Sequence, residues 1–263
     1  MKRPKSEIDA RRKELATQLR QHRYMPLHEI CERFQISEAT ARRDLRFLEE
    51  NNEIVRAFGG AMGDYEREFI SFRDRENAAA EAKTLIARRA LQEIQPGMAC
   101  LFDAGTSVFY LARELVKNPV PRLKAVTNNL PVAELLANVE ELEVYILGGQ
   151  LIRRQSALLG KHATRLVSTW DFDAAFCGAQ GMDSLGLWNT QDEIVNFQRR
   201  VQEQSRETYF LIDSSKIGKT AEAFLSSWDE DWNLITNASL ETLHKADHDI
   251  QNKRHLHAAV SKI

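Results

Sequence analysis

The first sixty residues place their apolar side chains at helical spacing in three short runs. Ile8, Leu15 and Leu19 mark the buried side of a helix over 6–22. Pro26 opens a second helix, Leu27–Phe34, at the first-turn position that tolerates a residue without an N–H, with Ile30 and Phe34 facing inward. Gln35-Ile36-Ser37 is a tight connection, and Ser37 can cap a third helix. There Ala41, Leu45 and Leu48 recur at i, i+4 and i+7, while Thr40, Arg42, Arg43 and Arg46 point elsewhere. Asn51-Asn52-Glu53 reads as a turn. Ile54–Gly60 alternates and ends in a glycine pair, which predicts a small hairpin with Arg56 near its tip. Two short helices joined by a turn, the second rich in arginine, make a helix-turn-helix, and the hairpin is its wing.

Residues 63–76 are charged and lack a long apolar stripe, which predicts a linker. Asn77–Ile94 reads as one alanine-rich helix stopped by Pro96-Gly97. From residue 98 the rhythm becomes strand, loop, helix. Ala99–Asp103, Ala125–Thr127, Val144–Leu147, Asp173–Gly178, Thr208–Asp213 and Asn233–Thr236 are short apolar runs separated by helical patterns. Such alternation predicts a parallel α/β sheet covered on both faces. The expected division is a winged helix-turn-helix domain over 1–62, a linker over 63–76 and a larger α/β domain over 77–263.

Composition sets limits on this picture. With 43% hydrophobic and 28% charged residues the chain is of the soluble globular class. It has no apolar run of about 18 residues, and no hydrophobic segment follows its basic start as in a signal peptide, so a cytoplasmic location is expected. Cys31, Cys100 and Cys177 show no metal or redox spacing and read as reduced thiols. His244 and His248 lie four apart without a third ligand, so no metal is expected. The net charge of −2 hides an asymmetry. Residues 1–62 carry 13 Lys and Arg against 10 Asp and Glu, which puts the cation excess where the arginine helix lies.

Two groups of polar residues are candidates for function. Ser37, Glu38, Thr40, Arg42, Arg43 and Arg46, with Arg56 on the wing, are the candidate DNA contacts. Thr40, Arg42 and Arg43 suit base edges and Arg46 suits a phosphate; the plainer reading is a solvated charged face. The second group collects at the ends of the predicted strands, where open α/β sheets bind ligands. In Asp103-Ala104-Gly105-Thr106-Ser107 the glycine lets the backbone approach closely, and two hydroxyls and N–H groups meet at a helix start, which suits a phosphate. The plainer reading is a βα turn that needs a glycine. Asn128, Asn129, Gly148, Gly149, Asp183 and Lys216 fall at equivalent ends. Trp188 either stacks on a sugar face or fills its loop.

These residues carry a resemblance. Ile36-Ser37-x-x-Thr40-x-Arg42-Arg43-Asp44-Leu45-x-x-Leu48 and Arg56-x-x-Gly59-Gly60-Ala61 resemble the DeoR-type bacterial transcription regulators. Ala41 departs from that pattern, where a β-branched residue is usual. Phe72-x-x-Arg75 and Lys83-x-x-Ile86-Ala87 are similar to the family's link into its second domain. The pattern continues through Asp103-x-Gly105-Thr106-Ser107, Thr127-Asn128-Asn129, Gly148-Gly149, Gly160, Gly178-x-x-Gly181-x-Asp183 and Ser215-Lys216-x-Gly218. It covers about residues 8 to 237, with Ser107 in place of a more usual Thr and Asn237 in place of Asp. The resemblance implies a fold similar to ribose-5-phosphate isomerase that binds a sugar phosphate without necessarily turning it over. It implies that Gly105, Thr106 and Ser107 hold the phosphate, while Asp103, Asn128, Asn129 and Lys216 line the sugar.

The expectation is a transcription regulator, in its simplest form a repressor of a carbohydrate-utilisation operon. Its partners would be double-stranded operator DNA and a phosphorylated sugar, with no cofactor and no membrane. A homodimer or homotetramer is expected, because DNA-binding dimers match repeated half-sites. Ligand is expected to close the loops around 103–107, 180–193 and 214–218. The competing reading is a sugar-phosphate isomerase fused to a DNA-binding domain, with Asp103 or Asp183 as base and Lys216 at the oxyanion.

Overall fold

The computed structural model describes residues 5–22, 25–50, 54–57, 60–63, 72–246 and 256–258. The chain divides into two compact units, Met1–Ile70 and Ser71–Ile263.

In the first unit α1 (Lys5–His22), α2 (Leu27–Phe34) and α3 (Glu38–Glu50) pack with three short strands, β1 (Met25–Pro26), β2 (Ile54–Ala57) and β3 (Gly60–Gly63). The strands run in the order β1-β3-β2, antiparallel throughout. The helical stripes meet as their spacing predicts: Leu15, Leu19, Ile30, Ala41, Leu45 and Leu48 form one buried cluster with Met25 and Ile54. Gln35 ends α2 in the left-handed region at φ 51°, and the Ile36 N–H returns to the Cys31 carbonyl. That turn delivers Ser37, whose Oγ accepts the Thr40 N–H at 3.3 Å and starts α3.

One residue of α3 behaves unlike a member of a charged helix. Asp44 is buried, and its two carboxylate oxygens accept from Arg11 Nε and Arg12 Nε of α1, each at 2.8 Å. The Arg12 guanidinium also lies 3.8 Å above the Phe47 ring centre. Two of the cations that make the N-terminal region basic are thus engaged in holding α1 to α3.

The second unit begins with α4 (Phe72–Asn77) and α5 (Ala80–Leu91). Then follow β4 (Ala99–Phe102), α6 (Thr106–Lys117), β5 (Leu123–Thr127), α7 (Leu130–Leu136), β6 (Leu142–Ile146), β7 (Gln150–Ile152), β8 (Ala157–Leu159) and α8 (Lys161–Val167). The chain continues through β9 (Phe172–Cys177), β10 (Gly181–Met182), β11 (Gly186–Asn189), α9 (Asp192–Glu203), β12 (Ser205–Leu211), β13 (Ala223–Ser227), β14 (Asn233–Thr236), α10 (Leu240–Ala246) and β15 (Leu256–Ala258). The main sheet has seven strands in the order β15-β14-β12-β9-β4-β5-β6, and every neighbouring pair is parallel.

Successive residues of a strand serve opposite faces. Cys100, Phe102, Phe176 and Leu211 pack against α5, α6 and α7, while Leu101, Ala175, Phe210 and Ile212 enter the core under α8 and α9. Both faces are covered, which is why the strands read as continuous apolar runs. Burial pushes the Cys100 thiol up to about 12 and raises the Cys177 thiol well above its ordinary value, so neither is a reactive thiolate. After β4 the chain builds outward to β5 and β6, then returns to lay β9, β12, β14 and β15 on the other side. The order of strands therefore reverses between β4 and β9.

Several expectations are corrected. The segment expected as linker up to residue 76 contains α4, which packs its Phe72 ring edge-on to Phe109 of α6 at 5.5 Å. The single helix expected over Asn77–Ile94 is broken at Ala79, which sits at φ 53°. At the break Lys83 of α5 reaches back and donates its ammonium to the Arg75 and Ala78 carbonyls, at the end of α4 and just beyond it. The β7–β8 hairpin, the small antiparallel sheet β10-β11-β13 and the strand β15 were not anticipated.

The Asp44 clamp is testable. Asp44→Ala removes hydrogen bonds to two arginines and is expected to lower the stability of the first unit by about 1.5–3 kcal/mol, typical of hydrogen bonds to charged groups. Urea unfolding followed by a probe in that unit measures it; an unchanged midpoint would show that α1 needs no such tether.

Candidate functional sites

In α3 each residue advances about 100° around the axis, so burial of Ala41, Asp44, Leu45 and Leu48 defines the inner side. Arg42, Arg43 and Arg46 are exposed and project from the opposite side, around the small Ala39. Arg42 is ion-paired with Glu38 one turn earlier, both well exposed, a contact that a phosphate or base edge can replace at little cost. Thr40 Oγ1 lies 2.9 Å from Ser37 Oγ and belongs to the helix start rather than to the arginine face. Arg56 lies on β2, opposite Ala61, and its side chain is outside the described residues.

The second site lies beyond β4 and β9, at the reversal of strand order where an open sheet leaves a crevice. The cleft is lined by Gly105, Thr106 and Ser107 at the start of α6, Gly178–Gln180 after β9, Asn189 and Thr190, with Arg75, Gln155 and Lys216 at its sides. α6 is twelve residues long, so its first turn presents N–H groups and the positive end of its dipole to the cleft. Ser107 Oγ is buried without a hydrogen-bond partner, and so is Arg75 Nε.

Charge in the cleft is unbalanced. Lys216 Nζ donates to the Ala179 carbonyl at 2.6 Å. Burial lowers its pKa to about 8; Asp213 works against the shift, and the charges of Arg75 and Lys83 add to it. Burial also lowers Lys83, again against the pull of Asp213 and with the push of Arg75, and lowers Arg75. The charges of Arg75 and Lys83 thus act on Lys216, and that of Arg75 on Lys83, with Asp213 as counter-charge to both lysines and Glu76 to Lys83. Asp213 is itself engaged by the Ser215 N–H at 3.0 Å and by the Ser215 hydroxyl.

A layer beneath, Asp103 is buried and accepts Gln198 Nε2 at 2.6 Å. Gln198 also donates to the Gly178 carbonyl at 2.8 Å and accepts from Asn189 at 3.0 Å. Burial raises Asp103 to about 6, a shift that the Gln198 hydrogen bond holds back. Asn128 is fully buried beside it; its carbonyl accepts the Leu158 N–H at 2.7 Å, while its side-chain amide makes no hydrogen bond of ordinary geometry. Asp103 and Asn128 support the floor of the cleft and do not line it.

Other expected ligand residues have structural partners. Asn129 caps α7, accepting the Val132 N–H at 3.1 Å, and its amide donates to the Ser156 carbonyl at 3.3 Å. Gly149 is a glycine because a Cβ there would stand 2.5 Å from the Leu159 carbonyl oxygen; with Gly148 it turns the chain into the β7–β8 hairpin. Asp183 is a turn staple: its Oδ1 accepts from Leu185 N–H, Gly186 N–H and Trp188 Nε1. Trp188 packs edge-on against Phe224 at 5.1 Å, so it fills its loop and stacks on nothing in the cleft. His244, His248, His255 and His257 have side chains outside the described residues.

Arg75, Lys83, Gln155, Asn189, Thr190 and Gln198 were not foreseen in this site. Gln198 had a usable signal, since it is a polar residue on the apolar side of α9 between Ile194, Phe197 and Val201. Arg75 is 30 residues upstream of Gly105, and only packing of α4 on α6 brings them together.

With this geometry in view, comparison with known proteins is decisive. Residues 11–66 match the DeoR-like helix-turn-helix domain and residues 78–238 match the DeoR C terminal sensor domain. The chain belongs to the DeoR family. It is a DNA-binding transcription regulator with a sensor domain. The HTH-type transcriptional repressor GlcR of Bacillus subtilis (strain 168) is 33% identical over 77% of this chain and 78% of its own. The Glycerol-3-phosphate regulon repressor of Escherichia coli (strain K12) is 32% identical over 77% and 80%. A Lactose phosphotransferase system repressor of Staphylococcus epidermidis is 33% identical over 73% and 77%. Among solved structures, ribose 5-phosphate isomerase A from Methanocaldococcus jannaschii gives a TM-score of 0.39 at 17% identity, over 53% of this chain and 55% of that one. That likeness is too distant to bear on ligand or chemistry.

The lowered Lys216 carries a pH dependence. A dianion held by Lys216 needs its ammonium, so affinity is expected to be level up to about pH 8 and to fall above it, by up to about tenfold per pH unit. Titration calorimetry with inorganic phosphate between pH 7.5 and 9.5 reads this directly; a flat profile would remove Lys216 from the site. By the same shift the unfolded chain binds more protons above about pH 8, so the ligand-free unit should gain stability as pH rises from there.

Proposed function

We propose that this DeoR-family protein represses a carbohydrate-utilisation operon, that the outer face of α3 reads the operator, and that a phosphorylated sugar in the cationic cleft controls it. The carrying observation is the cleft itself: Ser107 Oγ and Arg75 Nε without partners, Lys216 beside them, and a twelve-residue helix starting at Thr106. These are donors and cations arranged for a dianion. The names of two relatives, which include glycerol 3-phosphate and a phosphotransferase system, support the same class of effector.

Sensing fits better than turnover. An isomerase needs a carboxylate base within reach of its substrate, and among the described residues lining the cleft there is no carboxylate. Asp103 lies beneath it, bound to Gln198, and Asp183 is tied into its turn. Such a regulator works in the cytoplasm, where operator and sugar phosphates are both found, and as a dimer or tetramer on repeated half-sites.

The cleft has a volume of about 30 Å³, so binding a sugar phosphate there involves movement of the loops around 103–107, 180–193 and 214–218. Arg75 sits on α4, the first helix after the segment that joins the two units, and the Arg75 carbonyl is anchored by Lys83. Effector held by Arg75 thereby biases the set of α4, and through it the DNA affinity, by a shift of population.

Two measurements test this reading. In a gel shift on the promoter beside its own gene, Arg43→Ala is expected to weaken binding by about 1–3 kcal/mol if it contacts a guanine; unchanged affinity in Arg42→Ala and Arg43→Ala alike would refute the assignment of α3. In a thermal-shift screen, a sugar phosphate at 100 times its Kd should stabilise the parent by about 2.7 kcal/mol. Arg75→Met should lose that stabilisation without being less stable alone, and a hit that stabilises both equally would place the effector elsewhere.

A further inference from the structure

The two edges of the seven-stranded sheet are treated differently. On one side β15 covers β14. On the other, β6 ends the sheet with no strand beyond it among the described residues. Its sequence, Leu142-Glu143-Val144-Tyr145-Ile146, carries one charge, Glu143, and otherwise lacks the usual protections of an exposed edge: no proline, no lysine, and no bulge in its register with β5. Tyr145 is 39% exposed and Ile146 48% exposed, and they project from opposite faces of the strand. Leu166 of α8, 40% exposed, reaches the end of this edge, its Cδ1 lying 3.9 Å from where a Cβ on Gly148 would stand. Trp170 packs edge-on against Tyr145 at 5.0 Å and widens the apolar face.

The direction of the free hydrogen-bonding groups follows from the ladder. The Leu147 N–H bonds to the Thr127 carbonyl of β5, and backbone groups alternate in direction along a strand. The N–H and C=O of Val144 and Ile146 therefore point outward, as does the C=O of Leu142. Its N–H is bonded to Val139.

We propose that β6 is the interface with a second copy of this chain, joined antiparallel about a two-fold axis at Val144. Charge and polarity select this occupant and this register. With Val144 opposite Val144 of the second copy, Leu142 meets Ile146, and all three apolar residues share one face. On the other face Glu143 of each copy lies opposite Tyr145 of the other. Tyr145 already donates its hydroxyl to Glu143 within one chain at 2.8 Å, so the same pair has the chemistry to bond across the axis. A two-fold at Glu143 would set like charges face to face, and parallel addition of copies would stack them and leave the assembly open-ended. In the chosen register Glu140 and Glu141 of one copy lie toward opposite ends of the pair from those of the other, and the two Glu143 side chains are diagonal neighbours, each beside a Tyr145 hydroxyl. Val144 and its mate satisfy each other's N–H and C=O, and each Ile146 N–H reaches a Leu142 carbonyl. This inference does not depend on the identity of the effector.

Analytical ultracentrifugation of the full chain is the first test. The parent is expected at a multiple of 30.1 kDa. Tyr145→Lys combined with Ile146→Lys, both at exposed positions, should halve that mass while leaving the far-UV spectrum unchanged. A parent that stays monomeric to about 100 µM, or a folded double variant of unchanged mass, overturns the proposal. If the double variant misfolds, cross-linking decides. Opposed residues of a hydrogen-bonded pair have Cα atoms about 5.5 Å apart, within disulfide reach. Val144→Cys should therefore form an intermolecular disulfide on mild oxidation. Ile146→Cys, about 13 Å from its mate along the two-fold pair at 3.3 Å per residue, should cross-link no faster than the parent, whose own cysteines set the background. Equal cross-linking at both positions overturns the register and the interface together. Loss of operator binding by the α3 variants is read separately, in the gel shift, so the two ideas fail independently.

Discussion

Surplus positive charge in a buried crevice governs the second unit. Arg75, Lys83 and Lys216 act on one another there, and Asp213 is the counter-charge that pulls on both lysines. Such a group of cations is tolerable only if its members have other work. Lys83 closes the end of α4 by taking the Arg75 and Ala78 carbonyls, and Lys216 ties the loop after β12 to the loop after β9 through Ala179. What remains unsatisfied, the Arg75 Nε and the Ser107 hydroxyl, faces the cleft. The fold thus carries a standing electrostatic cost at this crevice.

Beneath the crevice a chain of amides and one carboxylate fixes its geometry. Gln198 bridges Asp103, the Gly178 carbonyl and Asn189, so three loops from different strands share one side chain. Hydrogen-bonded networks of this kind, fully enclosed, hold a unique arrangement more firmly than apolar packing does.

Periodic features were legible from the residues alone. The stripe Ala41, Leu45 and Leu48, the cap at Ser37 and the alternation of strands with helices all followed from spacing, because a period is a local property. The βα turn at Gly105-Thr106-Ser107 was legible for the same reason, lying wholly between one strand and one helix. Illegible were the contacts made by packing. Arg75 enters the cleft from a segment that reads as linker, and at the helix break at Ala79 Lys83 reaches back. Asp183, Asn129 and Gly149 sit at strand ends as ligand residues do, yet each meets a local backbone demand: a turn, a helix cap and a close approach. Position at the end of a strand marks where a ligand can sit; it does not separate residues that touch the ligand from those that shape the loop.

The Asp44 clamp bears on how this regulator responds to ions in solution. Arg11 and Arg12 have their Nε groups turned inward onto a buried carboxylate. Cations already neutralised by protein displace fewer counterions when DNA arrives, and the number displaced sets how steeply affinity falls with salt. The 13 lysines and arginines of residues 1–62 therefore overstate the polyelectrolyte character of the complex. Operator binding by this unit should persist across swings in potassium concentration that would release a protein of the same composition with all its arginines outward.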